Sequence, residues 1–167
     1  MILLKTTCMI RKIDDLGRIV LPKELRKVLS IHSGDDFQII VDENKIILEK
    51  FSRILNVQDE IIKIKNIFKS IYDYEIYITN NNFILETQEK ISEDVFKIIQ
   101  QRKIFTCDYQ TELKLTEKLK VYGKIIIFPI IVDSDLLGGI IIISDSDVQT
   151  MQLVAKTIFE LVKKYFI

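Results

Sequence analysis

MIRKIDDLGRIVLPKELRKVL, residues 9–29, holds six cationic side chains in 21 residues (Arg11, Lys12, Arg18, Lys23, Arg26 and Lys27). They alternate with apolar residues, and a DDLG turn and a proline stand between them. TTCMIRKI reads as a strand over Thr7–Ile13. DDLG is a turn in which Gly17 supplies a positive φ. RIVL is a second short strand. Pro22 then sits where a helix begins, and PKELRKVL follows. Leu25, Val28 and Leu29 fall at i, i+3 and i+4 and share one face, while Lys23, Arg26 and Lys27 lie away from it. SIHSGDD ends the helix. FQIIV and KIILEK are two more strands, joined by DEN, where Asn44 tolerates the left-handed conformation.

That charge is local. The whole chain of 167 residues has 24 basic and 24 acidic side chains and no net charge. Residues 1–27 hold seven Lys/Arg against three acids (Asp14, Asp15, Glu24), a local charge of +4. Clustering of this kind matters more than the total for binding a polyanion. A hairpin would bring Arg11 and Arg18 near one another, an arrangement that a polyanion relieves. In the set Arg11, Lys12, Arg18, Arg26 and Lys27, arginine outweighs lysine, which favours bidentate contact to phosphate or guanine edges.

A strand–strand–helix–strand–strand unit of some 45 residues buries little by itself. It is expected to complete its core with a second copy of the chain.

Residues 52–56 read as a short linker, and a second unit spans 57–167. A helix runs from Val57 to about Tyr72, with Val57, Ile61, Ile64, Phe68 and Ile71 spaced as a short heptad-like seam. YEIYIT and NFILET read as a hairpin around NN. SEDVFKIIQQRK opens with a Ser cap and acids and reads as a helix. IFTCDYQ is a short strand, and residues 110–120 are a loop or short helix. IIIFPIIVDSDLLGGIIIIS, residues 125–144, approaches membrane-spanning length. Pro129, Asp133, Asp135 and the Gly138–Gly139 pair interrupt it, so it reads as two buried strands joined at DSD. The closing helix places Met151, Ala155, Ile158 and Val162 on one stripe. The second unit is therefore expected to be an α+β domain with an antiparallel sheet and flanking helices.

Catalytic chemistry has little material. The chain has one histidine, His32, and two cysteines far apart, Cys8 and Cys107. No zinc spacing, Walker loop, G-x-S-x-G or C-x-x-C pattern occurs. Asp133, Asp135, Asp145 and Asp147 read as solvated turn residues rather than a cation site. Neither an enzyme, a metal nor a cofactor is expected.

IRKIDDLGRIVLPKELRKVLSI followed by GDDFQIIVDENKIILEK resembles the N-terminal DNA-binding domain of the AbrB family of transition-state regulators. With FSRIL and a second domain of this size, the whole chain is similar to sporulation regulators built on that domain. The resemblance implies a mostly-β, dimeric swapped-hairpin barrel over residues 1–51 and a GAF-like domain over 57–167 for oligomerisation or signal sensing. It implies double-stranded DNA as partner, a homodimer or tetramer, an unidentified small-molecule ligand of the GAF-like domain, no membrane, and a cytoplasmic, nucleoid-associated location. Carried over by position, the DNA-contacting arginines fall on Arg11, Arg18 and Arg26, and Lys12 matches the family's basic pair. Lys27 stands where the family often has arginine, keeping charge but not the planar fork. Cys8 and Ser30 stand where relatives commonly have glycine. Lys23 joins the basic set from its place on the helix. Repressor and activator look alike at these residues. The rival readings are an antitoxin-like or scaffold assembly module and a metabolite sensor with little DNA binding.

Overall fold

The computed structural model describes residues 9–29, 31, 33 and 35–166. Expectations that fall on Lys5, Thr7, Cys8, Ser30 or His32 lie outside the described residues. The chain divides into two compact units, Met1–Lys50 and Phe51–Ile167.

In the first unit, residues 14–18 form a three-residue hairpin loop. The Gly17 amide donates to the Asp14 carbonyl (2.9 Å) and the Asp14 amide to the Arg18 carbonyl (3.1 Å). Gly17 has φ +76°. This is a type I turn closed by a glycine in the left-handed region, a common three-residue hairpin connection. The arms beyond it, 9–13 and 18–21, are extended but join no ladder in this chain, where two strands were expected. Strands need a bonded neighbour, and among the described residues these arms have none.

The helix α1, Lys23–Val28, begins at Pro22, whose carbonyl accepts the Arg26 amide at 3.0 Å. Pro22 therefore flanks the helix rather than occupying its first position. β1 (Phe37–Asp42) and β2 (Lys45–Lys50) pair antiparallel, with Ile39 opposite Leu48 and Val41 opposite Ile46. In the connecting turn the positive φ, 49°, falls on Glu43 rather than on Asn44 as expected.

The first unit does not make a core. Among its described residues only Pro22 is buried. Ile10 is 90% exposed, Val20 75%, Val28 74% and Val41 75%. Ile39, Val41, Ile46 and Leu48 share one exposed face of the β1–β2 hairpin.

The second unit is the opposite case. α2 (Gln58–Tyr72) leads into β3 (Glu75–Asn80), then α3 (Glu93–Gln100), β4 (Phe105–Lys114), β5 (Lys120–Val132), β6 (Asp135–Ser144) and α4 (Val148–Lys163). The sheet is antiparallel in the order β3-β6-β5-β4. α2 and α4 pack on one face through Ile61, Met151, Val154, Ala155, Ile158 and Val162, against Ile76, Ile78, Ile126, Ile130, Ile140 and Ile142. α3 covers the other with Val95 and Ile99, against Ile125, Ile127, Ile141 and Ile143. The isoleucine runs of β5 and β6 are continuous because both faces of these strands are buried. The turn between them places Asp133 and Ser134 at positive φ, as the DSD reading implies. Among the described residues no helix is long and apolar enough to cross a membrane.

Three expectations change. NFILET does not form a strand. The chain does turn back on β3 around NN: Asn80 Oδ1 accepts the amides of Asn82 and Phe83 (2.8 and 2.7 Å), the Asn80 amide donates to the Phe83 carbonyl and the Leu85 amide to the Ile78 carbonyl. A second turn from Ile84 to Glu89 limits the pairing to an isolated Thr79–Ile84 bridge. β4 extends to Lys114, through residues expected to be loop or short helix; as an edge strand with a bulge between Cys107 and Thr111, it lacks the alternation that marks a half-buried strand. Residues 52–56, read as a linker, carry Ile54, which is fully buried in the core under α2 and α4. Beside it Arg53 donates to the Phe166 carbonyl (3.2 Å), lies over that residue's ring, and meets Asp133 and Asp135 across the β5–β6 turn.

Two positions test this core. A Cβ on Gly138 would stand 1.8 Å from the Thr79 carbonyl oxygen of the neighbouring strand. Gly138→Ala should cost more than about 2 kcal/mol in denaturant unfolding, because backbone must move to admit it. Ser92 caps α3 by accepting the Val95 amide at 3.2 Å. Ser92→Ala should cost about 1 kcal/mol in the same measurement, and no change would mean that the cap contributes nothing.

Candidate nucleic-acid interface

The basic residues singled out in the sequence, Arg11, Lys12, Arg18, Lys23, Arg26 and Lys27, are all solvent-exposed. Each is placed by a different local device. Arg11 and Lys12 ride on the extended arm before the turn, and Arg18 closes the turn from the other side. Lys23, Arg26 and Lys27 are carried by α1, whose apolar Val28 and the following Leu29 remain exposed beside them.

The turn's hydrogen bonds pair Asp14 with Arg18. In a hairpin continued outward from that pair, Ile13 would stand opposite Ile19, Lys12 opposite Val20 and Arg11 opposite Leu21. By strand alternation Lys12 and Arg18 would fall on one face of the ribbon, and Arg11 on the other with Ile13, Ile19 and Leu21.

Asp14 organises the turn and was not foreseen as a site residue. Its Oδ1 accepts the backbone amides of Leu16 (3.0 Å) and Arg18 (2.8 Å). Its Oδ2 accepts Nε–H of Arg18 at 2.8 Å. The Arg18 amide, then its guanidinium, holds the Asp14 carboxyl below the usual carboxylate range. Contacts of the charged form lower a pKa, so this arrangement is present at neutral pH and is lost only as pH falls through that lowered value. The signal was available: an Asp two residues before a turn amide and four before an arginine is the pattern of an Asx turn with an ion pair.

Among the described residues no group of His, Cys, Asp and Glu is arranged to hold a metal ion. Cys107 is a buried free thiol on β4, where Sγ–H donates to the Tyr109 carbonyl. These features put the six cations singled out on a turn with its flanking arms and on a short helix, both of which display apolar side chains next to their cations.

Comparison with known proteins divides at the same place as the structure. Residues 10–54 match the family described as antidote-toxin recognition MazE, bacterial antitoxin. Residues 66–165 match the family described as stage V sporulation protein T C-terminal, transcription factor. Three Bacillus subtilis (strain 168) proteins are similar in the N-terminal third. Stage V sporulation protein T is 47% identical over 57 residues, 34% of this chain and 32% of that protein. Transition state regulatory protein AbrB is 46% identical over 55 residues, 33% of this chain and 57% of that protein. Putative transition state regulator Abh is 48% identical over 48 residues, 29% of this chain and 52% of that protein. The matched stretch thus spans about a third of the first relative and a little over half of the other two. The second match covers more than half of the chain: it belongs to the stage V sporulation protein T C-terminal family of transcription factors, and carries that domain behind an AbrB-type N-terminal domain.

Proposed function

We propose that this chain is a DNA-binding transcription regulator of sporulation-stage genes, which binds duplex DNA through the basic side of its first unit. The observation that carries the reading is that unit's surface. Among its described residues it buries Pro22 alone while exposing Ile10, Ile13, Ile19, Val20, Val28, Ile39, Val41, Ile46 and Leu48. A soluble monomer rarely exposes this much contiguous apolar surface. A second copy of the same segment is the occupant that the fold calls for: the arms 9–13 and 18–21 lack strand partners, and a partner's arms supply them. That is the swapped-hairpin, barrel-like dimer. Two copies bring two sets of Arg11, Lys12, Arg18, Lys23, Arg26 and Lys27 to one duplex. Cationic side chains neutralise phosphates, and arginines reach base edges or read DNA shape.

On this reading residues 1–51 bind DNA and 57–167 hold copies together. The second unit's GAF-like role is oligomerisation first. Isoleucines on both faces of β5 and β6 are taken up by the unit's own core, so these strands do not form the wall of a ligand pocket. A DNA partner places the protein in the cytoplasm, on the nucleoid.

The match of residues 10–54 to an antitoxin family favours a second reading, an assembly module that uses the first unit to meet another protein. Charge separates the two. The double variant Arg26→Glu/Lys27→Glu should lower affinity for duplex DNA at least tenfold while the oligomer, measured by sedimentation, is unchanged. Unchanged DNA affinity would favour the assembly reading. Five phosphate contacts per chain, ten per dimer, give a log–log salt slope of roughly −9, and a binding constant indifferent to salt would count against DNA.

A further inference from the structure

Arg18 differs from the other five cations in how it is held. A guanidinium has five N–H donors, one on Nε and four on the terminal nitrogens. Nε–H of Arg18 is given to Asp14 Oδ2 at 2.8 Å. The carboxylate cannot follow the arginine away, because its Oδ1 is fastened to the amides of Leu16 and Arg18. The four terminal N–H groups stay open on a side chain that is 69% exposed. Among the described residues Arg18 is the one cation of the segment that a carboxylate holds.

A guanidinium grips two acceptors either side-on, with Nε and one terminal nitrogen, or end-on, with both terminal nitrogens. Asp14 has taken the side-on edge. The end-on fork suits the O6 and N7 acceptors of a guanine edge in the major groove. A phosphate is the poorer occupant, because it carries negative charge toward the Asp14 carboxylate; a guanine edge is neutral. Fixing the side chain beforehand also removes part of the entropy lost on binding.

We propose that Arg18, aimed by Asp14, reads a guanine edge, while Arg11, Lys12, Lys23, Arg26 and Lys27 meet phosphates. Asp14 is then a positioning residue. The inference rests on the DNA-binding reading above and adds the division of labour within it. It makes a prediction opposite in sign to simple electrostatics: removing the negative charge of Asp14 should weaken recognition of the preferred sequence although it makes the surface more positive.

The test uses the full chain and duplexes that it selects from a random pool. Wild type, Arg18→Lys and Asp14→Asn are compared for affinity to the selected and to random duplexes. Asparagine retains an oxygen for the two turn amides and loses the acceptor for Nε–H; slow exchange of the Leu16 and Arg18 amides verifies that the turn survives. Arg18→Lys leaves the turn's acceptor untouched, so it serves as the second probe. Both variants should lose preference for selected over random DNA by about tenfold, within the fivefold to 150-fold span of one bidentate base contact. Asp14→Asn should bind random DNA at least as tightly as wild type, and Arg18→Lys about equally. Replacing one guanine per half-site by 7-deazaguanine, which lacks N7, should weaken wild type and leave Arg18→Lys unaffected. Retained preference in either variant overturns the proposal, as does an equal loss on selected and random DNA. If the wild type retains no duplex at low salt, the DNA-binding reading itself falls.

Discussion

The described residues of 9–50 bury almost no apolar surface within one chain, and the proposed function rests on that shortage. Pro22 is their one buried side chain among the described residues, while the arms of the turn, the apolar side of α1 and one face of the β1–β2 hairpin lie open. Burying an isoleucine or valine contributes about 1.5–3 kcal/mol, so leaving many outside is a large stability deficit for a unit of this size. On the proposed reading, a partner copy would remove the deficit and double the cationic side chains presented together. Folding, assembly and polyanion binding are on this account one event for the first unit.

The second unit meets no such constraint. Its sheet is sealed by α2 and α4 on one face and by α3 on the other, and Gly138 allows β3 and β6 to approach where any side chain would collide with Thr79. Even the short stretch after Lys50 is drawn in: Ile54 is in the core, and Arg53 ties that stretch to Phe166 and to the β5–β6 turn. Residues 53 and 54 therefore belong to the second unit rather than to a free connector.

Much of this was legible from residues. The four helices, the β1–β2 hairpin and the Ile-rich β5–β6 pair announced themselves by spacing, caps and turn residues, and Ser92 caps α3 as its position before two acids implies. What stayed hidden has physical reasons. NFILET pairs only briefly with β3 because a second turn, in which the Ile84 amide donates to the Glu89 carbonyl and the Gln88 amide to the Ile84 carbonyl, interrupts a stretch that composition favours as strand. β4 is an edge strand with a bulge, so polar residues occupy both of its sides and alternation disappears. The arms 9–13 and 18–21 have strand-like sequences, but among the described residues no strand pairs with them. At the candidate interface the six cations were visible as charge. The hold of Asp14 on Arg18 was not singled out, because it depends on the turn that brings residue 14 back to residue 18.

Hydrogen–deuterium exchange of the full chain, with and without duplex DNA, tests the central claim most directly. The account predicts new protection concentrated in residues 9–29, across the turn and α1, with exchange in 58–163 little changed. Protection confined to 58–163, or none anywhere at a DNA concentration that saturates binding, would contradict it.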